Sequence, residues 1–408
     1  MLRKGLTIIV VLFAVFTGLI WYNVYLPISP KLKGDQKLIP FLFNFNNELS
    51  QIFDDKLGIV PKYKWFRWFF TTLSTSSLLP KPDLQAKGIN IKDSVISGIP
   101  VKIFRPDEAD GESQYRPGLI FLHGGGLVFG SVNWTCYIQQ CIMIAQDTKS
   151  VVISVEYRLV PEHPFPTQFD DCYSVVNTIA NEPRKFGILN NKIALAGDSA
   201  GGQLAAAISL EFANQNRSSE LVGQVLIYPW LQFIDVLCLP SFQKYKQGFQ
   251  MDEKQTAYFM SIATMGNKDM KPEYLAGNVT RYFMRTQFWQ FLEIPETSHC
   301  EVYKDNTNIT LPPDFVSKVT NPRLSPLLAK SVEGSPPTLL VIPEYDILAS
   351  ESILYAKRLK EAGIPVITKM YKTGHGFLFR LSIPFINTPI AKQSMEDIAN
   401  FLNSVFYK

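Results

Sequence analysis

At 408 residues, with 46% hydrophobic and 19% charged residues, the chain has the composition of a globular protein with a large core, which argues against disorder. Its net charge of +4 is not gathered into any run of five or more Lys or Arg, which argues against a nucleic-acid partner. No internal repeat is visible, and no low-complexity tract extends beyond Ser74–Ser77 and its flanking threonines.

The amino end carries Arg3 and Lys4, then Leu6–Leu26, a run of 21 residues without a charge, closed by Trp21, Tyr22 and Tyr25. About 20 helical residues span the hydrocarbon core of a bilayer, and aromatics favour its edges. A cleaved signal peptide would show a shorter apolar region, about 7–15 residues, ending in a small-x-small site. Neither holds, and Pro27 and Pro30 follow directly. The expectation is a transmembrane signal-anchor helix over residues 6–26 behind a short cytosolic tail, residues 1–5. Lys31, Lys33 and Lys37 balance Arg3 and Lys4, so charge alone leaves its orientation open.

Residues 27–85 are expected to form an amino-terminal cap or lid segment, within which 31–85 alternate aromatic clusters with prolines. The densest cluster is Lys64–Phe70, KWFRWFF. It reads as a helix buried against the rest of the chain, with a lid or membrane-facing patch as the alternative.

From residue 86 to 408 the pattern becomes alternating strands and helices. Ile89–Ile96 alternates apolar and polar residues, and Pro100–Phe104 follows the Ser97-Gly98 turn, which predicts an antiparallel pair. Gly118–Leu122 is a continuous apolar run, as in a buried parallel strand, and leads into His123-Gly124-Gly125-Gly126. A helix over Trp134–Asp147 and a strand over Val151–Val155 come next. The proline-bounded stretch Tyr157–Pro166 must be irregular. A helix over Thr167–Asn181 leads to the apolar run Ile193–Ala196, then to Gly197-Asp198-Ser199-Ala200-Gly201, a G-x-S-x-G pattern, and an Ala/Leu-rich helix. Another strand covers Gln224–Tyr228. The rhythm breaks over about 231–328, where amphipathic stretches, aromatics and prolines predict a cap insertion. It resumes with a strand at Thr338–Ile342, a helix over Glu351–Ala362, a strand at Val366–Tyr371 and a helix from Ala391 to Phe406. Strands alternating with helices call for a mostly parallel sheet with helices on both faces.

Strand, sharp turn and helix around Ser199 is the setting that pushes a serine outward as a nucleophile, with Gly197 and Gly201 keeping side chains off the neighbouring backbone. A serine hydroxyl needs an imidazole to take its proton and a carboxylate to orient that imidazole. In α/β-hydrolases the acid and then the histidine follow the serine in the chain. Of the four histidines, His299 and His375 follow Ser199. His299 has no strand before it, whereas His375 lies just past one, in Gly374-His375-Gly376, and is favoured. For the acid, Asp346 follows the strand Thr338–Ile342, and Glu344 is the competitor closer to the strand's end. Gly124 and Gly125 N–H, with Ala200 N–H, would converge as oxyanion donors, and Gly126 completes the loop. His123 and His163 precede the serine and read as structural. The chemistry calls for no metal and no organic cofactor.

His123–Gly126, Tyr157–Pro166, Gly197–Gly202 with Asp198, Tyr345-Asp346 and Gly374–Gly376 together resemble the hormone-sensitive-lipase-like branch of the α/β-hydrolases, in particular its arylacetamide deacetylase and neutral cholesterol ester hydrolase group. The resemblance implies the α/β-hydrolase fold with a cap, preceded by one transmembrane helix. It implies a single-pass type II protein of the endoplasmic reticulum membrane with a lumenal catalytic domain. The activity it implies is hydrolysis of carboxylic esters of lipids or of acetylated small molecules, including acyl-arylamides, through an acyl-enzyme on Ser199, Asp346 and His375. The expected partners are a small-molecule or lipid ester substrate and the membrane. Two other readings of the same residues are a catalytically silent binding protein on this fold and an acyltransferase.

Four N-x-S/T sequons follow the anchor, at Asn133, Asn216, Asn278 and Asn308. Asn278 and Asn308 fall in the cap, where exposed loops are expected, so at least one of those two is expected to carry glycan. The five cysteines show no C-x-x-C and no zinc spacing. Where the resembling proteins tend to hold cysteines, this chain has Val128 and Pro343, so the resemblance carries over no disulfide. Buried free thiols are expected for most of the five.

Overall fold

Eight strands form one sheet in the order β1-β2-β4-β3-β5-β6-β7-β8. They are β1 (Ile89–Ile96), β2 (Ile99–Pro106), β3 (Arg116–Leu122), β4 (Val151–Val155), β5 (Ile188–Asp198), β6 (Leu221–Ile227), β7 (Thr338–Tyr345) and β8 (Val366–Gly374). In the computed structural model, residues 38–75, 88–107, 114–245, 251–294, 300, 309–382 and 388–408 are described. The anchor expected over Leu6–Leu26 lies outside them. No helix among the described residues is long and apolar enough to cross a membrane.

β2 runs antiparallel to both β1 and β4, and every other neighbouring pair is parallel. Every residue of β3 and β4 is buried, as continuous apolar strands must be when helices cover both faces of a sheet. One face carries α3 (Thr135–Thr148) and α12 (Pro389–Phe406), packed on each other; the other carries α4 (Thr167–Asn181) and α5 (Ala200–Asn214). α11 (Ala349–Glu361) packs on β7. Nearly all of α5 is buried because its small side chains, Ala205, Ala206 and Ala207 among them, let it lie close on β5 and β6.

Between β6 and β7 the described chain is helical without a strand: α6 (Pro240–Tyr245), α7 (Glu253–Met265), α8 (Lys271–Leu275), α9 (Asn278–Phe283) and α10 (Pro313–Val319). Asp252 caps α7 by accepting the Gln255 N–H at 2.6 Å, and Gly266 ends it in a left-handed conformation. A disulfide joins Cys238 to Cys300 across this region, while Cys136, Cys141 and Cys172 are free and buried.

Ahead of the sheet, α1 (Leu38–Gln51) and α2 (Lys62–Thr75) are joined through a π-helical turn, Ile52–Lys56. Within Lys64–Phe70 the two expected environments coexist on opposite faces of α2. Phe66 and Phe70 are buried, Phe70 stacked on Phe129 with centroids 5.4 Å apart and Phe66 edge-on to Phe259 at 5.7 Å. Trp68 is 44% exposed. Arg67 fastens the helix to the sheet domain. Its guanidinium donates to Val128 O and Val160 O, both at 2.6 Å, and holds both carboxylate oxygens of Glu162 at 2.8 Å.

Candidate active site

β5 delivers Asp198 and α5 begins at Ala200, so Ser199 alone makes the turn between them. Its φ of 54° and ψ of −120° lie where residues with a side chain seldom go. Backbone bonds impose that conformation: Ser199 N–H donates to Ile227 O at 2.8 Å, and Ser199 O accepts from Gln203 N–H at 3.1 Å and Trp230 N–H at 3.2 Å. A Cβ on Gly197 would sit 2.3 Å from Gly201 O, and one on Gly201 would sit 2.0 Å from Leu122 O. The end of β3 therefore passes directly under the first turn of α5, and only glycine fits there.

The structure brings Ser199, His375 and Asp346 together from three separate elements. Ser199 Oγ–H donates to His375 Nε2 at 3.0 Å, and His375 Nδ1–H donates to Asp346 Oδ2 at 2.7 Å. The other Asp346 oxygen accepts the Leu348 N–H at 2.9 Å, which fixes the carboxylate's rotation. All three side chains are buried, and the Tyr228 ring lies 4.7 Å from the imidazole. Glu344, the competing acid, lies on β7 two residues before Asp346 and is half-buried, and it is Asp346 that the histidine bonds. His299 lies outside the described residues. His163 is exposed and bonds through its backbone, its N–H donating to Leu159 O at 3.1 Å and its carbonyl accepting from Gln168.

The oxyanion donors expected from sequence need one correction. Gly124 N–H does not face the cleft: it donates to Asp198 Oδ1 at 2.6 Å and to the Tyr137 hydroxyl at 3.0 Å. The next two glycines line the same cleft as Ser199. Gly125, at φ 113°, has no room for a Cβ, which would lie 1.8 Å from Phe129 O. The Gly125 and Gly126 N–H groups make no hydrogen bond among the described residues, and both glycines line the cleft. Ala200 N–H, at the open amino end of α5, is a third donor of that kind. His123 is fully buried, stacked on Tyr157 with centroids 4.3 Å apart, and burial lowers its pKa, so it is a structural imidazole.

Asp198 stands behind the serine as the mooring of the glycine loop. Besides Gly124 it receives the Tyr137 and Tyr228 hydroxyls, each at 3.4 Å. Burial outweighs these donors and the nearby His375, so its pKa rises to about 6. Glu351, on the first turn of α11, is fully buried and pushed up to about 8 by burial. Its oxygens accept from Leu231 N–H and Gln232 Nε2, both at 2.7 Å, so it ties the start of the cap to the loop that carries Asp346. Asp198 was legible as part of the serine motif. Tyr137, Tyr228, Glu351 and Arg67 carried no local signal.

The cleft over Ser199 is walled mainly by Phe129, Trp230, Met251, Phe259 and Phe379. Its apolar lining suits an acyl chain, with the polar groups confined to Ser199, His375, Asp198 and the glycine backbone. Among the described residues no three His, Cys, Asp or Glu side chains converge as a metal site. Of the sequons, Asn133 and Asn216 are exposed. Asn278 opens α9 half-buried, its amide donating to Glu273 at 2.6 Å, with Thr280 buried against Asp235; Asn308 lies outside the described residues. Accessibility thus favours Asn216, because Thr135 of the Asn133 sequon is buried and donates to Ser74 O at 2.6 Å.

A profile of the α/β hydrolase fold matches residues 119–283 and 304–379. Among curated proteins, the arylacetamide deacetylase of Bos taurus is 28% identical over 334 residues, covering 79% of this chain and 82% of its own. The neutral cholesterol ester hydrolase 1 of Mus musculus is 26% identical over 391 residues, covering 92% of this chain and 94% of its own. Among solved structures, the hyperthermophilic esterase of Pyrobaculum calidifontis superposes with a TM-score of 0.61 at 26% identity, covering 88% and 97% of the two chains. A thermostable esterase from Pseudomonas putida reaches 0.67 at 21% identity, covering 93% and 98%, a likeness of fold.

Proposed function

Because the chain belongs to the α/β-hydrolase fold family, with arylacetamide deacetylases and neutral cholesterol ester hydrolases among its relatives, we propose that it is a carboxylic-ester hydrolase working through Ser199. The observation that carries this reading is the unbroken relay from Ser199 Oγ through His375 to Asp346, at 3.0 and 2.7 Å, on a strained elbow that faces an apolar cleft.

His375 Nε2 takes the hydroxyl proton as Ser199 Oγ attacks the ester carbonyl, and Asp346 holds the Nδ1–H tautomer and stabilises the imidazolium that forms. The negative charge moves to the carbonyl oxygen, toward the Gly125, Gly126 and Ala200 N–H groups, each worth roughly 3 kcal/mol of barrier. His375 then gives its proton to the leaving alkoxide. Water, deprotonated by the same imidazole, hydrolyses the acyl-enzyme and restores Ser199. The apolar cleft accommodates lipid acyl esters and acetylated small molecules, and the same steps serve an acyl-arylamide. Residues 27–85 form an amino-terminal cover and 86–408 the hydrolase domain, with its cap over about 231–328.

Leu6–Leu26 anchors the chain as a single-pass type II protein of the endoplasmic reticulum membrane, with the hydrolase domain in the lumen. The Cys238–Cys300 disulfide supports an oxidising compartment, and the exposed sequon at Asn216 would receive glycan there. The test of the chemistry is covalent labelling by an organophosphate probe. The full-length protein should be labelled at Ser199, and Ser199→Ala should abolish both labelling and ester hydrolysis. Labelling that survives the substitution would remove Ser199 from the mechanism. For the anchor, a carbonate-washed membrane pellet should retain the protein, and release into the supernatant would refute it.

A further inference from the structure

Nine large hydrophobic side chains are exposed among the described residues, and four of them, Ile52, Leu57, Ile59 and Trp68, fall within 17 consecutive positions. Their exposures run from 40% to 65%. Single exposed apolar residues need no explanation, whereas a cluster does. Backbone and ring contacts join the segments that carry them: Leu57 N–H donates to Ile52 O at 3.0 Å. Ile59 N–H is bonded to Phe53 O at 2.9 Å; the Phe53 ring stacks on Trp65 at 4.5 Å, and Trp65 lies 5.2 Å from Trp68. Lys64, one helical turn before Trp68, is exposed on the same face of α2. Aliphatic side chains beside a tryptophan and a lysine make the composition of a surface lying at the boundary between headgroups and acyl chains.

What covers this surface is indicated by where it sits in the chain. The uncharged run Leu6–Leu26 ends eleven residues before α1 begins, and eleven extended residues reach at most about 40 Å. The hairpin of α1 and α2 is therefore held near whatever bilayer that run spans. The opposite face of α2 points at the catalytic cleft: Phe66 and Phe70 pack on Phe129 and Phe259, which wall it. One helix diameter, about 10 Å, thus separates the exposed surface from the cleft wall. Arg67 ties the same helix to Val128 O, four residues past Gly124 in the loop that carries the oxyanion glycines.

We propose that the outward surface formed by Ile52, Leu57, Ile59 and Trp68 rests in the face of a phospholipid bilayer, so that the cleft behind α2 takes esters dissolved in the membrane. The proposal rests on the anchored-hydrolase reading above and adds to it a second membrane contact and a route for substrate. Apolar esters with long acyl chains partition into the bilayer and are scarce in water. A cleft held at the lipid surface meets them at their high local concentration.

The experiment uses the full-length protein reconstituted in phosphatidylcholine vesicles that contain a phospholipid with a photoactivatable acyl chain. After illumination, mass spectrometry should find lipid adducts within residues 52–68 as well as within 6–26. Adducts confined to 6–26 would overturn the proposal while leaving the anchor intact. Adducts at 52–68 alone would uphold it and remove the anchor. Cross-links between two copies through 52–68, without lipid adducts there, would assign the surface to a dimer and overturn it. A second arm changes all four exposed side chains, Ile52→Ser, Leu57→Ser, Ile59→Ser and Trp68→Gln. Hydrolysis of a vesicle-dissolved long-chain ester should fall about tenfold in kcat/KM, and that of a soluble short-chain ester should not change. Equal effects on both substrates, or none on either, would overturn the proposal. The single change Trp68→Gln serves if the fourfold variant does not fold. A protein that hydrolyses neither ester refutes the hydrolase reading, and the lipid adducts still decide this one.

Discussion

Replacing Asp198 separates the two things this carboxylate does. It accepts the Gly124 N–H at 2.6 Å, which moors the glycine loop, and it carries a charge that burial disfavours. Its pKa stands at about 6 against an ordinary 3.8, so the folded state binds the proton more tightly than the unfolded chain does. Stability therefore falls as pH rises from about 4 to 6, and above that the cost is constant. The size of that cost follows from a shift of about two units at about 1.4 kcal/mol each, or roughly 3 kcal/mol at neutral pH. Asp198→Asn keeps an oxygen for Gly124 and removes the charge. It should stabilise the protein by about 2–3 kcal/mol at pH 8 and by nothing measurable at pH 4. Asp198→Ala removes the charge and also leaves Gly124 N–H and two tyrosine hydroxyls buried with one partner fewer, at about 1–3 kcal/mol per unsatisfied group. Its stability at pH 8 should therefore lie below that of the asparagine variant, and because Gly125 and Gly126 lose their reference point, kcat should also drop well below that of the asparagine variant. Denaturant unfolding at the two pH values, with kcat on a soluble ester, measures both effects. An asparagine variant less stable than the parent at pH 8 would refute the buried-charge reasoning. An alanine variant as active as the asparagine one would refute the mooring.

The remaining predictions concern the acid, the cap root and the amino-terminal hairpin. Asp346→Asn should lower kcat by about 10⁴ with little change in fold, because an amide in place of the carboxylate holds the imidazole in the wrong tautomer; if Glu344→Gln has that effect instead, the acid is wrongly assigned. Glu351, raised to about 8 from 4.5, makes the protein less stable as pH climbs through that window, so Glu351→Gln should flatten the fall in unfolding midpoint between pH 5 and pH 9; an unchanged slope would mean the carboxyl titrates normally. Arg67→Ala removes the donor of two carbonyl bonds and a partly exposed ion pair, about 1–3 kcal/mol, and should make the segment 38–75 the first site of limited proteolysis; an unchanged cleavage pattern would show that the aromatic contacts hold the hairpin alone. In glycopeptide maps, occupancy should appear at Asn216 rather than at Asn133 or Asn278, whose sequon threonines are engaged in the fold.

What the chain settles locally is the type and order of its elements and the identity of the nucleophile. An all-apolar run such as Ile193–Ala196 has to be buried on both faces, and small residues after Ser199 let a helix lie close above it, so strand, elbow and helix follow within one stretch. The elbow's glycines have a local spacing because the clash they avoid, Gly197 against Gly201, is itself local. Asp346 and His375 are selectable because each follows a segment legible as a strand, the buried run Thr338–Ile342 and the stretch Val366–Tyr371. Other features depend on residues far apart in the chain that only packing brings together. The serine and its histidine are separated by 176 positions, Gly124 and Asp198 by 74, Arg67 and Val128 by 61, and the two disulfide cysteines by 62. No periodicity encodes such pairs. For that reason the first glycine of the loop could be read from sequence as an oxyanion donor, although tertiary structure commits its N–H to Asp198. The same holds for α2, whose composition offered a buried helix or, as the alternative, an exposed patch; only its neighbours Phe129 and Phe259 determine which face is which.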